Sequence, residues 1–300
     1  MSESIKRVVS VSLGSSTRNH SATAHILDQD FQIERQGTDG DLALAGERIR
    51  DLDGQAAAIG LGGIDLYVVA GHKRYVMRDA ARLAANAHQT PVVDGSGLKH
   101  TLEREAVRYL QQQGIVNWPR EKVLLVSAVD RFGMAEELVK AGAACTFGDF
   151  LFILDLPIPL RSLGAVRRLG SLILPVATRL PFKMLYPTGD KQTQVKDSKK
   201  HRAWMEEATV IAGDFLLIRR YLPPQLQGKT IFTNTVTMAD IELLRERGAR
   251  QLITTTPEFD GRSFGTNVME GVFVALGART PDDYLPLLQQ LKWKPRIIQF

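Results

Sequence analysis

The chain has 300 residues, of which 44% are hydrophobic and 24% are charged. This length suits two domains and this balance is typical of globular proteins, which excludes a disordered chain, a coiled coil and a collagen-like fibre. The sequence has no run of 18 apolar residues and no signal-peptide pattern, so we expect neither an integral membrane protein nor a secreted one. The single cysteine, Cys145, excludes an intrachain disulfide and favours a cytoplasmic location.

The net charge of +5 is concentrated in one segment. Residues 158–202 contain ten Lys or Arg against two Asp, a local charge of +8, so the other residues sum to −3. The only aromatic residues of the basic segment 158–202 are Phe182 and Tyr186, which are too few for a base-stacking surface. No nucleic acid is therefore expected as a partner. We predict instead a helical, basic insertion at about 151–202. It either lies on an anionic membrane surface or packs on its own domain or on a second copy, and we favour packing or a homodimer.

The first 118 residues alternate between strand and helix patterns. Residues 7–13 alternate and are rich in β-branched side chains, as a strand is. Further strands are predicted at 31–35, 56–61, 66–70, 74–77 and 91–93, and helices at 39–52, 79–88 and 98–113. This order favours a mostly parallel sheet, which we interpret as a substrate domain at 1–118.

Residues 122–147 give the clearest fold signal, because a strand, a tight turn, a helix and a second strand follow one another as in a βαβ unit. Further strands are predicted at 209–212, 230–233, 251–255 and 296–300, and helices at 238–247, 263–276 and 282–291. We therefore predict an α/β protein of two domains. The second, at 119–300, is a Rossmann-like, doubly wound parallel sheet that carries the insertion.

The turn of this βαβ unit stands where dinucleotide-binding proteins have G-x-G-x-x-G. Its three key positions are Ala128, Asp130 and Gly133, so only the last is glycine. Arg131 could neutralise Asp130, and Asp149 follows the second strand, where an acid accepts the ribose hydroxyls of an adenosine. These residues predict a cofactor site for NAD rather than NADP; the alternative is a βαβ unit that binds nothing.

Three further loops combine polar residues with expected strand or helix ends. After the first strand, the N–H groups, hydroxyls and guanidinium of Ser15, Ser16 and Arg18 could hold a phosphate or carboxylate, unless this is simply a solvated turn. Arg262, Thr266 and Asn267 open a later helix and could clamp an anion, or merely cap that helix.

The third loop offers candidates for proton transfer. Asp94 ends a predicted parallel strand, and Ser96 and Lys99 follow it at a helix start. A buried lysine can have a lowered pKa and exchange protons, while Asp65, after a glycine-rich turn, could be an acid or base. The alternative is a helix cap with exposed basic side chains and a solvated Asp65.

Long segments of the chain resemble a bacterial family labelled quinate 5-dehydrogenase. They are VSVSLGSS (9–16), GTDGD (37–41), AIGLGGIDLY (58–67), TPVVDGSGLK (90–99), VSAVDRFGMA (126–135) and GRSFGTNV (261–268). The resemblance implies a substrate domain followed by a Rossmann domain, as in quinate/shikimate dehydrogenases. Those enzymes oxidise a ring hydroxyl to a ketone with NAD(P), using a Lys and an Asp, and Lys99 is an approximate positional match for that Lys.

The leading hypothesis is NAD-dependent oxidation of a hydroxylated carboxylate of the quinate/shikimate class. Lys99 would be the acid–base residue, with Asp65 or Asp94 orienting it. The alternatives are a non-catalytic protein that binds an anionic small molecule, and a different enzyme that acts on an anionic sugar or nucleotide.

Overall fold

The computed structural model describes residues 5–70, 73–181, 199–256, 258–259, 262–263 and 265–300. It contains two large β-sheets, each built mainly from parallel strands with helices on its faces. This confirms the predicted α/β fold.

The N-terminal strands are β1 (Lys6–Ser12), β2 (His20–Ile26), β3 (Gln29–Gly37), β4 (Ala58–Gly62), β5 (Tyr67–Ala70), β6 (Lys73–Val76) and β7 (Val92–Val93). The first sheet has the strand order β2-β3-β1-β4-β7, and all its pairs are parallel except β2 with β3. The strands β5 and β6 form a separate antiparallel hairpin. The helices of this half are α1 (Leu42–Leu52), α2 (Arg78–Ala84) and α3 (Ser96–Gln112).

Strand β2 was not predicted. Its buried positions are Ala22, Ala24 and Ile26, and every other position is exposed. Two alanines bury little apolar surface, so the alternation is too weak to identify a strand from sequence. The pairing with β3, which begins two residues earlier than predicted, stabilises it.

The second sheet has the strand order β15-β12-β11-β10-β8-β9, parallel except for β15. The chain leaves β8 on one side for β9 and then crosses back to β10 on the other side of β8, which creates a topological switch point between β8 and β10. The strands of this half are β8 (Lys122–Leu125), β9 (Ala144–Phe147), β10 (Val210–Ala212), β11 (Thr230–Thr233), β12 (Gln251–Thr254), β13 (Glu258–Phe259), β14 (Arg262–Ser263) and β15 (Arg296–Gln299). Its helices are α4 (Phe132–Lys140), α5 (Leu163–Ala177), α6 (Lys199–Glu207), α7 (Phe215–Tyr221), α8 (Met238–Glu246), α9 (Thr266–Ala275) and α10 (Tyr284–Gln290).

Helix α9 comes from the C-terminal half but packs against β1 and β4 of the first sheet. Gly271 makes this packing possible, since a Cβ there would lie 2.9 Å from Cγ1 of Val8. Helix α3 shares this layer: Leu98 and Leu102 pack with α9, whereas the later turns of α3 pack against α4 of the second sheet. The two halves of the chain are therefore joined through a shared helical layer, and the boundary at residue 118 stays a prediction.

The predicted insertion contains helix α5, and Pro175 lies inside this helix rather than ending it. A proline inside a helix removes one backbone hydrogen bond and crowds the carbonyl four residues earlier, which bends a helix or ends it. Helix α5 exposes Leu172 by 77% and Val176 by 64%. Packing on a second copy and binding to an anionic membrane both stay predictions. Residues 182–198 of the predicted insertion lie outside the described residues, and helix α6 begins at Lys199.

Across the part of the chain that the structure describes, none of the helices combines the length and apolar character needed to cross a membrane.

Candidate functional site

A cleft of about 720 Å³ lies where loops from both sheets meet. It is bordered by segments that follow strands β1, β4, β7, β8, β10 and β11, and by the first residues of α9. In open parallel sheets, ligands bind outside the carboxyl ends of the strands, at a topological switch point. The cleft has this position for the second sheet, because Ser127 follows β8 and Asp214 follows β10.

Lys99 and Asp130 meet in this cleft. Helix α3 supplies Lys99, the turn after β8 supplies Asp130, and Nζ of Lys99 donates to Oδ1 of Asp130 at 2.9 Å. The side chains are 15% and 34% exposed, so the pair is shielded but open to the cleft. Burial would lower the pKa of Lys99, but the carboxylates of Asp130 and Asp65 outweigh it and raise this pKa. Lys99 is therefore protonated and can donate to a ligand oxygen.

Asp65 and Asp94 both line the cleft but differ in their surroundings. Asp65 acts electrostatically on Lys99. The carboxylate of Asp94 instead accepts hydrogen bonds from the backbone N–H groups of Leu66 at 2.6 Å and Tyr67 at 3.0 Å. It also accepts from the N–H and hydroxyl of Ser96, at 3.0 and 2.7 Å. Asp94 thus ties the start of β5 to the start of α3, and a role in orienting Lys99 stays a prediction.

A second charged group lies behind Lys99 and was not predicted as a unit. The buried Arg131 donates to the buried Glu103 of α3, and its Nη2 lies 3.4 Å from Oδ2 of Asp214. Burial lowers the pKa of Arg131, but Glu103, Asp130 and Asp214 together raise it. Glu103 could have been found from sequence, because it interrupts the apolar stripe of α3.

The predicted dinucleotide turn has an internal carboxylate at its N–H groups. Oδ1 of Asp149 accepts from the N–H of Ala128 at 3.0 Å and of Val129 at 2.9 Å, and burial raises the pKa of Asp149 to about 6 despite these bonds. Contact with a ribose stays a prediction, and it would require Asp149 to leave the turn. Gly133 lies in α4 against His100, since a Cβ there would be 2.9 Å from the imidazole Cδ2.

His100 is held neutral at this contact between α3 and α4. Its burial, followed by the charges of Arg104 and Lys99, lowers its pKa to about 4. It therefore offers a neutral imidazole beside Lys99.

The loop after β1 also binds an internal carboxylate. The N–H of Ser16 donates to Oδ1 of Asp39 at 2.8 Å, and the carbonyl of Ser15 accepts from Arg35 at 2.9 Å. The hydroxyl of Ser15 is hydrogen-bonded to the hydroxyl of Thr17. Of the three residues predicted to hold a substrate carboxylate here, only Arg18 lines the cleft.

The start of α9 reaches the cleft through Thr266 and Asn267. Nδ2 of Asn267 donates to the hydroxyl of Ser10 at 2.7 Å, which fixes this helix end to β1. A Cβ on Gly60 or Gly95 would come within 2.8 or 2.5 Å of the backbone of Asn267, so these glycines admit the helix. The side chain of Arg262 lies outside the described residues.

Glu270, which the sequence did not single out, occupies the N-terminus of α3. It accepts from the N–H of Gly95 at 2.6 Å and of Leu98 at 3.2 Å, and from the hydroxyl of Tyr284 at 2.8 Å. Burial, followed by the charge of Asp94, raises the pKa of Glu270 to about 7.

The structure thus brings one part of the predicted set together. Those that line the cleft are Arg18, Asp65, Asp94, Ser96, Lys99, Asp130, Arg131, Thr266 and Asn267. Those that do not line it are Ser15, Ser16, Ala128, Gly133 and Asp149. Lining residues that were not predicted as a site include Ser127, Asp214, Arg220, Asn234 and Thr235. Four of them could have been found from their position, because Ser127, Asp214, Asn234 and Thr235 each lie within two residues of the end of β8, β10 or β11.

Two layered, mostly parallel sheets with a cleft at the switch point define a Rossmann-type α/β protein. Residues 97–300 match the family model described as Domain of unknown function (DUF8754), and the chain belongs to this family. Residues 7–94 match a second model, Domain of unknown function (DUF8753). Comparison with curated proteins gives no match.

Solved structures with a similar fold include both dehydrogenases and a binding protein. The NAD-dependent malic enzyme from Thermotoga maritima is 14% identical with a TM-score of 0.35; the match covers 83% of this chain and 65% of the malic enzyme, less than two thirds of its length. The hetero-hexameric glutamate dehydrogenase from Thermus thermophilus is 10% identical with a TM-score of 0.43 and coverages of 96% and 73%. A sugar ABC transport substrate-binding protein from Bordetella parapertussis is 9% identical with a TM-score of 0.38 and coverages of 99% and 90%.

Proposed function

We propose that the chain is an NAD(P)-dependent oxidoreductase that acts on a hydroxylated carboxylate of the quinate/shikimate class. The observation that carries this proposal is the pairing of Lys99 with Asp130 at 2.9 Å inside the cleft between the two sheets. A protonated amine held by a carboxylate can give a proton to a substrate oxygen, and solvent in the open cleft can replace that proton. Removing a hydroxyl proton and returning it is what interconversion of an alcohol and a ketone requires of the protein.

The residues around the pair divide the work. In the reductive direction Lys99 donates its proton to the carbonyl oxygen. The oxidative direction is the reverse, in which a Lys99 amine that has lost its proton to solvent accepts the hydroxyl proton. Arg18, which lines the same cleft, binds the substrate carboxylate. Thr266 and Asn267 supply neutral hydrogen-bonding groups for further hydroxyls.

The fit to a dinucleotide is partial. The switch point between β8 and β10 is where such a cofactor binds in Rossmann folds. The turn after β8 fits less well, because Ala128 and Val129 give their N–H groups to Asp149 and Asp130 adds a negative charge. A nicotinamide, NAD in preference to NADP, would supply hydride transfer when bound.

This occupied turn favours a second candidate function. A protein that binds an anionic small molecule without transforming it would use the same cleft and would not need the turn. A different enzyme for an anionic sugar or nucleotide would also use the cleft, with Lys99 as its proton donor.

Titration calorimetry with NAD, NADP, quinate and shikimate separates these functions, together with absorbance assays of NAD(P)H formation. We expect dinucleotide binding and a turnover that Lys99→Met lowers by roughly 10²–10⁴-fold, the usual range for a lost general acid–base. The control is Lys122→Met, which removes an exposed lysine paired with Glu207 at 3.3 Å. Absence of dinucleotide binding at millimolar concentration, with quinate still bound, would replace the oxidoreductase by the binding protein.

A further inference from the structure

The charged residues of the cleft fall into paired and unpaired groups. Lys99 is paired with Asp130, and Arg131 with Glu103 and Asp214. Two other arginines line the cleft, Arg18 and Arg220, and within the described residues neither guanidinium forms a hydrogen bond or an ion pair. The cleft therefore has two cations whose charge no carboxylate offsets directly.

Arg220 lines the cleft from the half of the chain that forms the second sheet. It lies on α7, the helix that follows β10 at the switch point. Its Nε is buried and has no hydrogen-bond partner in the described structure, and its guanidinium lies 5.8 Å from the centre of the Tyr221 ring. A buried donor without a partner is unfavourable, so the fold itself leaves this guanidinium unsatisfied. Because Arg220 lines the cleft, an oxyanion bound there would pair with its charge.

The neighbouring arginine on the same helix differs in having a carboxylate partner. Arg219 donates from Nη1 to Oδ1 of Asp240 at 2.9 Å, although its own Nε is also buried without a hydrogen-bond partner. This ion pair joins α7 to α8, so the charge of Arg219 is balanced within the fold. Among the described residues Arg220 has no such carboxylate, so the structure of α7 does not account for its charge.

Arg18 lines the cleft from the other half of the chain, in the loop after β1. A Cβ on Gly14 would lie 3.5 Å from Nη2 of Arg18 and 2.9 Å from Nη2 of Arg35, so the two guanidinium groups are neighbours. Burial, followed by the charge of Arg18, lowers the pKa of Arg35. Two adjacent cations attract an anion more strongly than either does alone.

We propose that the cleft has two separate anion-binding positions, and that Arg220 of the second half of the chain holds a phosphate or carboxylate group apart from the one at Arg18. The paired group of Lys99, Asp130 and Asp65 lines the same cleft, and its carboxylates repel an anion and favour a hydroxyl or carbonyl. The ligand expected in the cleft thus has two anionic groups and a neutral part that contacts Lys99. The inference rests on the proposed function only in placing the ligand in this cleft.

Two different molecules could supply the anion at Arg220, and in both cases the group bound is an oxyanion. It is either a phosphate of a dinucleotide or a second acidic group of the substrate. The turn after β8 leaves this task open, because its N–H groups at Ala128 and Val129 are bonded to Asp149.

The first experiment measures binding of inorganic pyrophosphate to the full chain by calorimetry at low salt, with no nicotinamide cofactor. We expect Arg220→Met to weaken pyrophosphate binding at least tenfold and Arg220→Lys to restore part of this binding. Arg18→Met removes the other anion-binding position, so a second, weaker binding event, the one at Arg220, should remain. The control is Arg120→Met, which removes an exposed arginine outside the cleft. Thermal unfolding of each variant shows whether it is folded.

The second experiment identifies the source by titrating NAD, NADP and quinate into wild type and Arg220→Met. A loss confined to the dinucleotides assigns the anion to the cofactor, and a loss confined to quinate assigns it to the substrate; both support the position. Unchanged affinity of folded Arg220→Met for pyrophosphate, NAD, NADP and quinate alike would overturn it, as would wild type that binds none of these four. If neither dinucleotide binds but pyrophosphate binding depends on Arg220, the oxidoreductase fails and the anion position stands.

Discussion

The carboxylate of Glu270 accepts a hydrogen bond from the backbone N–H of Gly95 at 2.6 Å, although the two residues are 175 positions apart in the chain. This contact places an acid from α9 at the N-terminus of α3, where the free N–H groups and the helix dipole favour negative charge. It also fixes the helix that carries Lys99 to a helix packed on the first sheet.

Stability should fall as the pH rises through the titration of Glu270. Its pKa is raised from 4.5 to about 7 in the fold, so the protonated form is favoured there and its contribution is complete below pH 4.5 and lost as the pH passes 7. A shift of this size corresponds to at most about 3 kcal/mol. Urea unfolding between these pH values should show a smaller loss for Glu270→Gln than for wild type.

This measurement has one control variant, and a second titrating group contributes equally to every protein compared. Glu47→Gln replaces an exposed acid and should keep the wild-type pH dependence. Asp149, whose pKa is raised to about 6, contributes a slope of the same sign to all three proteins. Identical slopes in wild type and Glu270→Gln would show that Glu270 does not titrate as described.

Gly95→Ala should destabilise the protein far more than Gly114→Ala. Both glycines have positive φ, +87° and +65°, so both substitutions cost backbone strain. Only at Gly95 would the new Cβ also meet a neighbour, 2.5 Å from the backbone nitrogen of Asn267, whereas nothing lies within 4 Å at Gly114. The difference in unfolding free energy, measured with urea, should be about 1–3 kcal/mol, the usual range for overpacking. Equal losses would mean that α9 does not pack on Gly95 in solution.

Arg131→Met should be strongly destabilising, because it leaves the buried carboxylate of Glu103 without its partner. Removing one member of a buried pair typically costs about 3–5 kcal/mol. The double variant Arg131→Met/Glu103→Leu should recover much of this loss, since it leaves no buried acid unpaired; Asp214, another partner of Arg131, is 36% exposed. Thermal and urea unfolding check both. A double variant less stable than the single one would show that the pair itself, not the orphaned acid, stabilises the contact between α3 and the turn after β8.

Asp149→Ala and Asp149→Asn should differ in stability. An asparagine oxygen can still accept from the N–H groups of Ala128 and Val129, as Oδ1 of Asp149 does, whereas alanine leaves two donors unpaired. We expect alanine to cost about 1–3 kcal/mol more than asparagine in urea unfolding. If Asp149 instead binds a ribose, both variants should weaken NAD binding while unfolding at similar urea concentrations.

The strand-ending residues show what could be read from local pattern. Buried β-branched runs followed by polar loops predicted two α/β regions, and parallel strands bring their carboxyl ends to one edge. The sequence predicted Asp65 and Lys99 for proton transfer and Asp130 for a cofactor turn, and all three line the cleft. The weakly apolar β2 and the helix α7 gave no comparable signal.

The sequence by itself determined the α/β class, the βαβ unit at 122–147 and most strand ends, because these depend on hydrophobic periodicity and turn residues that lie close together in the chain. Only the tertiary structure decided which polar groups face the cleft. Asp149 stands where an acid binds a ribose, but its carboxylate is bonded to the backbone N–H groups of Ala128 and Val129 once the chain has folded. Conversely, Glu103 and Glu270 become partners of Arg131 and Gly95 only because packed helices bring distant segments together. A buried polar group must find a partner wherever the fold offers one, and that partner is set by packing and not by neighbouring sequence.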